Sequence, residues 1–258
     1  MYRKLDQGDD LNCYFIKFKR EYQSSSLLSQ TNITECFNFS WDMTFGTKGE
    51  HRSYRSGGVH SRKNGEIFIN TFQGKLSEFT VYNFLQENGI TSPKPDLSTY
   101  ALGEWDSFDI EANSKKINIK STKFYGNLLL LETKDWSFEG QYLPNKEKPC
   151  RGYYDIFLLV RISPDGEALM RRNRMFFSNN VAREELESIV LKEDWNSDIP
   201  GFATLDDIKF VISNKHILPQ GSKLNGKTPM DAENYYIQSG DMHNIEELIH
   251  LLTPSQHE

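Results

Sequence analysis

The chain has 258 residues, a formal net charge of -6, 37% hydrophobic and 26% charged residues, and only 3 cysteines. This is the composition of a folded globular protein, and it excludes a disordered, collagenous or disulfide-dense chain. No apolar run approaches the ~18 residues of a membrane-spanning helix. The start, Met1-Tyr2-Arg3-Lys4-Leu5-Asp6, lacks the apolar core of a secretion signal. Cys13, Cys36 and Cys150 are odd in number and far apart. They fit neither a disulfide framework nor a zinc site, so the expected compartment is the reducing cytoplasm, with no membrane association.

In chain order, residues 1–70 read as a mixed N-terminal arm. Tyr14 to Phe18 is a possible strand and Ser24-Ser25-Ser26 a loop. Gly74 to Asn88 has the spacing of a helix, with Gly89 just past its end. Ser92-Pro93-Lys94-Pro95-Asp96 is a rigid connector. Strands are expected over Phe108 to Asn113, Lys116 to Ser121, Asn127 to Thr133 and Tyr154 to Ile162. Ser163-Pro164-Asp165-Gly166 reads as a turn that returns the chain as a strand over Leu169 to Phe177. Asn180 can cap a helix running to about Lys192. Shorter elements follow at Ile208 to Ser213 and Tyr235 to Gln238, then a closing helix from Asn244 to Leu252. The order predicts an α/β (α+β) fold, a central mixed β-sheet flanked by helices. The expected division is 1–70, a core over 71–195, and a C-terminal subdomain over 196–258, or one domain throughout.

Charge is segregated. His51 to Lys63 holds Arg52, Arg55, His60, Arg62 and Lys63 with no acid. Lys115, Lys116, Lys120 and Lys123 lie between Glu111 and Glu132, also with no acid. Arg171-Arg172-Asn173-Arg174 is a third basic cluster. Acids collect instead over Glu184 to Asp198 and Asp231 to Glu247. A basic cleft on an acidic chain suits a polyanion such as DNA, with Arg52, Arg55, His60, Arg62, Lys63, Lys115, Lys123, Arg172 and Arg174 as contacts.

The stretch Trp105 to Ser121 carries the chemistry. Folded as a hairpin about Ser114-Lys115, it pairs Ala112 with Ile117, Glu111 with Asn118, Ile110 with Ile119 and Asp109 with Lys120. Alternation then gives an apolar face of Ile110, Ala112, Ile117 and Ile119. The polar face holds Asp109, Glu111, Asn118 and Lys120. A carboxylate, an amide oxygen and an ammonium on one patch suit a hard divalent cation beside a scissile phosphate. No Gly-rich phosphate loop precedes a helix, so no nucleotide cofactor is expected, and no Gly-x-Ser-x-Gly elbow occurs. The six histidines show no metal-ligand spacing.

A helix with Glu78 in Gly74 to Phe79, then Asp109 in Phe108-Asp109-Ile110, then Asn118-Ile119-Lys120, resembles the PD-(D/E)XK nuclease superfamily. The likeness is to type II restriction endonucleases in particular and covers about Gly74 to Ile162. It implies an αβββαβ core and one or two Mg²⁺ ions held by Asp109, Asn118 and Glu78. It also implies Lys120 acting on the water, double-stranded DNA as substrate, and a homodimer matching a two-fold target. Two departures stand out: the amide Asn118 replaces an acid, and Phe108 replaces the proline. Asp106 is the rival for the metal-binding aspartate. A degenerate DNA-binding module of the same fold and a branched-DNA resolvase or repair nuclease share the same features, and a protein-interaction domain would use none of them.

Overall fold

A computed structural model describes residues 2–25, 27–46, 61–98, 109–148 and 151–253. Within them lie six α-helices and eleven strands. The strands β1 (Asp6–Gln7) and β2 (Cys13–Phe15) precede α1 (Gln30–Thr44) and α2 (Asn64–Glu87). Next come β3 (Ile110–Ala112), β4 (Lys115–Lys123), β5 (Leu128–Glu132) and β6 (Ile156–Ser163). The helices α3 (Gly166–Arg172) and α4 (Arg183–Val190) lead to β7 (Asn196–Thr204) and α5 (Leu205–Ser213). The chain closes with β8 (Ile217–Leu218), β9 (Lys223–Leu224), β10 (Thr228–Pro229), β11 (Asn234–Gln238) and α6 (Ile245–Leu252). The mixed α+β class expected from the sequence is what is observed. No described helix is long and apolar enough to cross a membrane.

The central sheet has the order β3-β4-β6-β7. β3 and β4 are antiparallel, β4 and β6 parallel, and β6 and β7 antiparallel. β5 leaves this sheet and forms a second one, β5-β11-β8, while β1-β2-β9-β10 form a third. The expected segments therefore interleave. β7, from the C-terminal segment, completes the central sheet, and the N-terminal β2 pairs with β9.

Side chains alternate along a strand, so paired residues share a face. Ile117 pairs with Ile110 and Ile156, and all three enter the main core with Leu158, Val160 and Ile162. α2 covers this face. Its buried Ile67, Phe68, Ile69, Phe72, Leu76, Phe79, Val81 and Leu85 point all round the helix, as expected of a helix sunk between layers. Phe72 meets Trp195 edge-on, with ring centroids 5.0 Å apart. The other face carries Phe157 and Leu159 into a second core with Trp136, Leu129 and the α5 residues Ile208, Val211 and Ile212.

Three expected elements are corrected. α2 begins at Asn64, ten residues before Gly74, and Gly74 sits inside the helix. Leu169 to Phe177 is not a strand. Asp165 accepts from the Ala168 N–H at 3.1 Å and caps α3, which buries Leu169 and Met170. Asn180 caps nothing: α4 starts at Arg183, with Ala182 at its N-cap. α1 was absent from the expectation, although Ser29 and Asn32 close a reciprocal capping box at its start.

Candidate functional site

The hairpin turns one residue earlier than expected. Asn113 and Ser114 both have positive φ (50° and 62°), the geometry of a type I′ turn, which an asparagine favours. The Asn113 side chain is fixed further by donating to the Leu252 carbonyl at 2.7 Å. The observed pairs are Ile110 with Ile117, Glu111 with Lys116 and Ala112 with Lys115. Relative to expectation the register moves by two residues. An even shift preserves which face each side chain occupies, so the split into apolar and polar faces survives.

Continued by one step, this register sets Asp109 beside Asn118. Asp109 lies just before β3, partly buried, and its Oδ2 accepts from the Ile119 N–H at 2.6 Å. Burial raises its carboxyl above the ordinary carboxylate range, against the opposing pull of Lys120, the Ile119 N–H and Lys75. Asp109 and Lys120 interact through space and form no direct ion pair. Asn118 is buried, 6% exposed, and its Oδ1 has no hydrogen-bond partner among the described residues. A buried carbonyl oxygen left without a donor costs roughly 1–3 kcal/mol, and a cation would satisfy it.

Glu78 is not brought to this group. Asn118 pairs with Phe157 and Lys120 with Leu159, so both project from the face opposite α2. Glu78 stands on α2, held by Lys75 at 2.7 Å, with both side chains 14% exposed. The backbone of the sheet separates it from Asn118. Asp109, hydrogen-bonded at the strand edge to Ile119, feels the charge of a lysine from either side.

The proposed DNA contacts are dispersed. Asp106, Arg52, Arg55 and His60 fall outside the described residues. Lys63 is the exposed N-cap residue of α2, with the partly buried Arg62 before it. Lys115 lies 3.6 Å from Asp155, and Lys123 is shared by Asp165 (3.3 Å) and Glu167 (2.9 Å). Arg172 reaches Glu193 at 3.3 Å. Strand alternation does not place Arg172 and Arg174 on one edge, because α3 replaces that strand; Arg174 is exposed beyond the helix.

Sequence reasoning missed two residues of consequence. Lys75 is visible only as an i, i+3 partner of Glu78, a spacing that acquires meaning once α2 is known to lie against β4. Arg161 lies in an apolar run and pairs with Asp198, a partner no local pattern announces.

No group of three or more His, Cys, Asp or Glu side chains that could hold a metal occurs among the described residues. The paired donors Asp109 and Asn118 offer one carboxylate and one amide oxygen, with Glu111 two residues along the same face. That set is too sparse for zinc or calcium, but it fits Mg²⁺, which keeps several of its waters. No protein-family model matches this chain, and the searches of curated proteins and of solved structures return no match.

Proposed function

We propose that the protein is a Mg²⁺-dependent, sequence-specific endonuclease acting on double-stranded DNA, of the type II restriction-enzyme kind. The observation that carries this reading is the orphaned Asn118 Oδ1, on the sheet face that also carries Lys120 and next to Asp109 by strand register. The chain order of the central sheet and its helices supports it: α2, β3, β4, β6, then α3 and α4, then β7. The described order is one helix, three strands of the central sheet, two helices and a fourth strand, with β5 diverted to another sheet.

Asp109 and Asn118 would hold the ion. Asp109 is pre-oriented, since the Ile119 N–H fixes one of its oxygens. When bound, a divalent cation offsets negative charge on the phosphate and acidifies a nearby water. Lys120 donates a hydrogen bond to the phosphoryl oxygens or to the attacking water, and its charge stabilises the negative charge that develops. A homodimer would present two such sites to the two strands of a palindrome.

A second reading keeps the fold and drops hydrolysis. It is favoured by the placement of Glu78 on α2, across the sheet from Asn118. Incubation with phage or plasmid DNA and Mg²⁺ separates the two. The nuclease reading predicts discrete fragments that disappear with Lys120→Ala. A DNA-binding module predicts salt-sensitive retardation in a gel, unchanged by Ca²⁺ or EDTA, and no cleavage.

A further inference from the structure

Glu111, Lys116, Asn118 and Lys120 share the face of the β3–β4 hairpin that turns away from α2, with Asp109 at its edge. Glu111 stands directly opposite Lys116, and Asp109, one step further, beside Asn118. Ala112 and Lys115 flank the two-residue turn and form the hydrogen-bonded kind of pair, so Glu111 and Lys116 form the other kind. In such a pair the Cα atoms lie only ~4.5 Å apart and the side chains come closest. Even so, among the described residues the Glu111 carboxylate and the Lys116 and Lys120 ammonium groups form no hydrogen bond or ion pair. Elsewhere on the same strand Lys115 reaches Asp155 at 3.6 Å and Lys123 reaches Glu167 at 2.9 Å. Lys116 and Lys120 are also the same-face neighbours of Asn118 along its strand, yet neither donates to its buried Oδ1. On β6 the neighbour of Asn118 is Phe157, whose side chain offers no donor.

We propose that Glu111 is a ligand of the divalent cation, holding it together with Asp109 and the Asn118 Oδ1. The inference rests on the cation-binding reading above. Asp109 lies opposite Asn118, and Glu111 lies diagonal to it. Diagonal neighbours on a sheet face are roughly 7–8 Å apart, a span that long side chains bridge and short ones do not. Glutamate has the length for it. Its carboxylate brings the charge that the amide at 118 does not. Together the two carboxylates offset Lys116 and Lys120, which flank Asn118 on its strand and repel a dication. One oxygen of Asp109 already accepts from the Ile119 N–H at 2.6 Å, so a second carboxylate also widens the donor set.

The test is calorimetric titration of the full chain with Mn²⁺ and no DNA, which reads binding without turnover. Mn²⁺ shares the octahedral oxygen preference of Mg²⁺. E111Q is expected to bind the ion about tenfold more weakly than the wild type. E111D keeps the charge and shortens the reach by one methylene, and a loss of about the same size is expected. A Glu111 that acted through its field alone would leave E111D at wild-type affinity. Melting curves in EDTA establish that each variant is folded; should E111Q not fold, E111D carries the test by the same criterion. Wild-type affinity in either variant, with D109N weakened, overturns the inference and leaves the nuclease reading intact. No Mn²⁺ binding by the wild type, or full affinity in D109N, overturns that reading itself.

Discussion

Arg161 and Lys120 stand on neighbouring strands of one sheet and project from the same face. Every donor of Arg161 is used. Nε and Nη2 bond Asp198, Nη1 bonds the Arg20 carbonyl and Asn127, and Nη2 also bonds the Glu21 carbonyl. Asp198 in turn accepts from the Gln23 N–H at 2.9 Å. A guanidinium has five N–H groups, and all five are satisfied here. Around Asp109 the opposite holds: among the described residues its carboxylate forms no ion pair with Lys120, and the amide oxygen of the neighbouring Asn118 lacks a donor. A buried charge that is fully hydrogen-bonded ties segments together. A buried polar group left incomplete ties nothing and is open to a water or an ion.

Three substitutions sharpen that contrast, beginning with the largest. Arg161→Ala removes a buried charge and strands Asp198, so a loss of about 3–5 kcal/mol is expected in urea unfolding. A loss below about 1 kcal/mol would show that the network ties nothing together. Asp109→Asn is expected to do the reverse and raise the melting temperature at neutral pH. The sign follows from the raised carboxyl: the folded state holds its proton to higher pH than the unfolded chain does. Stability is therefore lost as pH rises from the ordinary carboxylate range through the folded value, and the asparagine escapes that loss. The difference between wild type and variant should vanish once both states of the wild type are protonated; melting curves across pH 3–8 read it. Arg172→Ala, an exposed pair with Glu193, should cost less than about 1 kcal/mol, and less still in high salt.

How much of this was legible beforehand follows from the range of each signal. Alternation over β3 and β4 placed Ile110, Ala112 and Ile117 on the core face and Asn118 and Lys120 on the other. That assignment survived a wrong register, because the slip was an even number of residues. The turn sits one residue earlier because Asn113 tolerates positive φ. The start of α2 was missed because its first ten residues are rich in Ile and Phe, which read equally well as strand. Leu169 to Phe177 has a strand-like apolar content, but the capping carboxylate of Asp165 decides for helix. Only the resemblance sets Glu78 with Asn118, since a sequence shows which face of a helix a residue occupies but not which side of a sheet the helix covers. Arg161 and Asp198 lie on adjacent strands joined by two helices, so only the folded chain brings them together.

The most direct test of the central claim is cleavage of double-stranded DNA as a function of Mg²⁺, run side by side for the wild type, Lys120→Ala and Asp109→Asn. The account predicts discrete fragments from the wild type that vanish in EDTA, with rates at least about a hundredfold lower in both variants and melting temperatures no lower than wild type for Asp109→Asn. Metal-independent cleavage, full activity in either variant, or intact DNA under every divalent cation would contradict it.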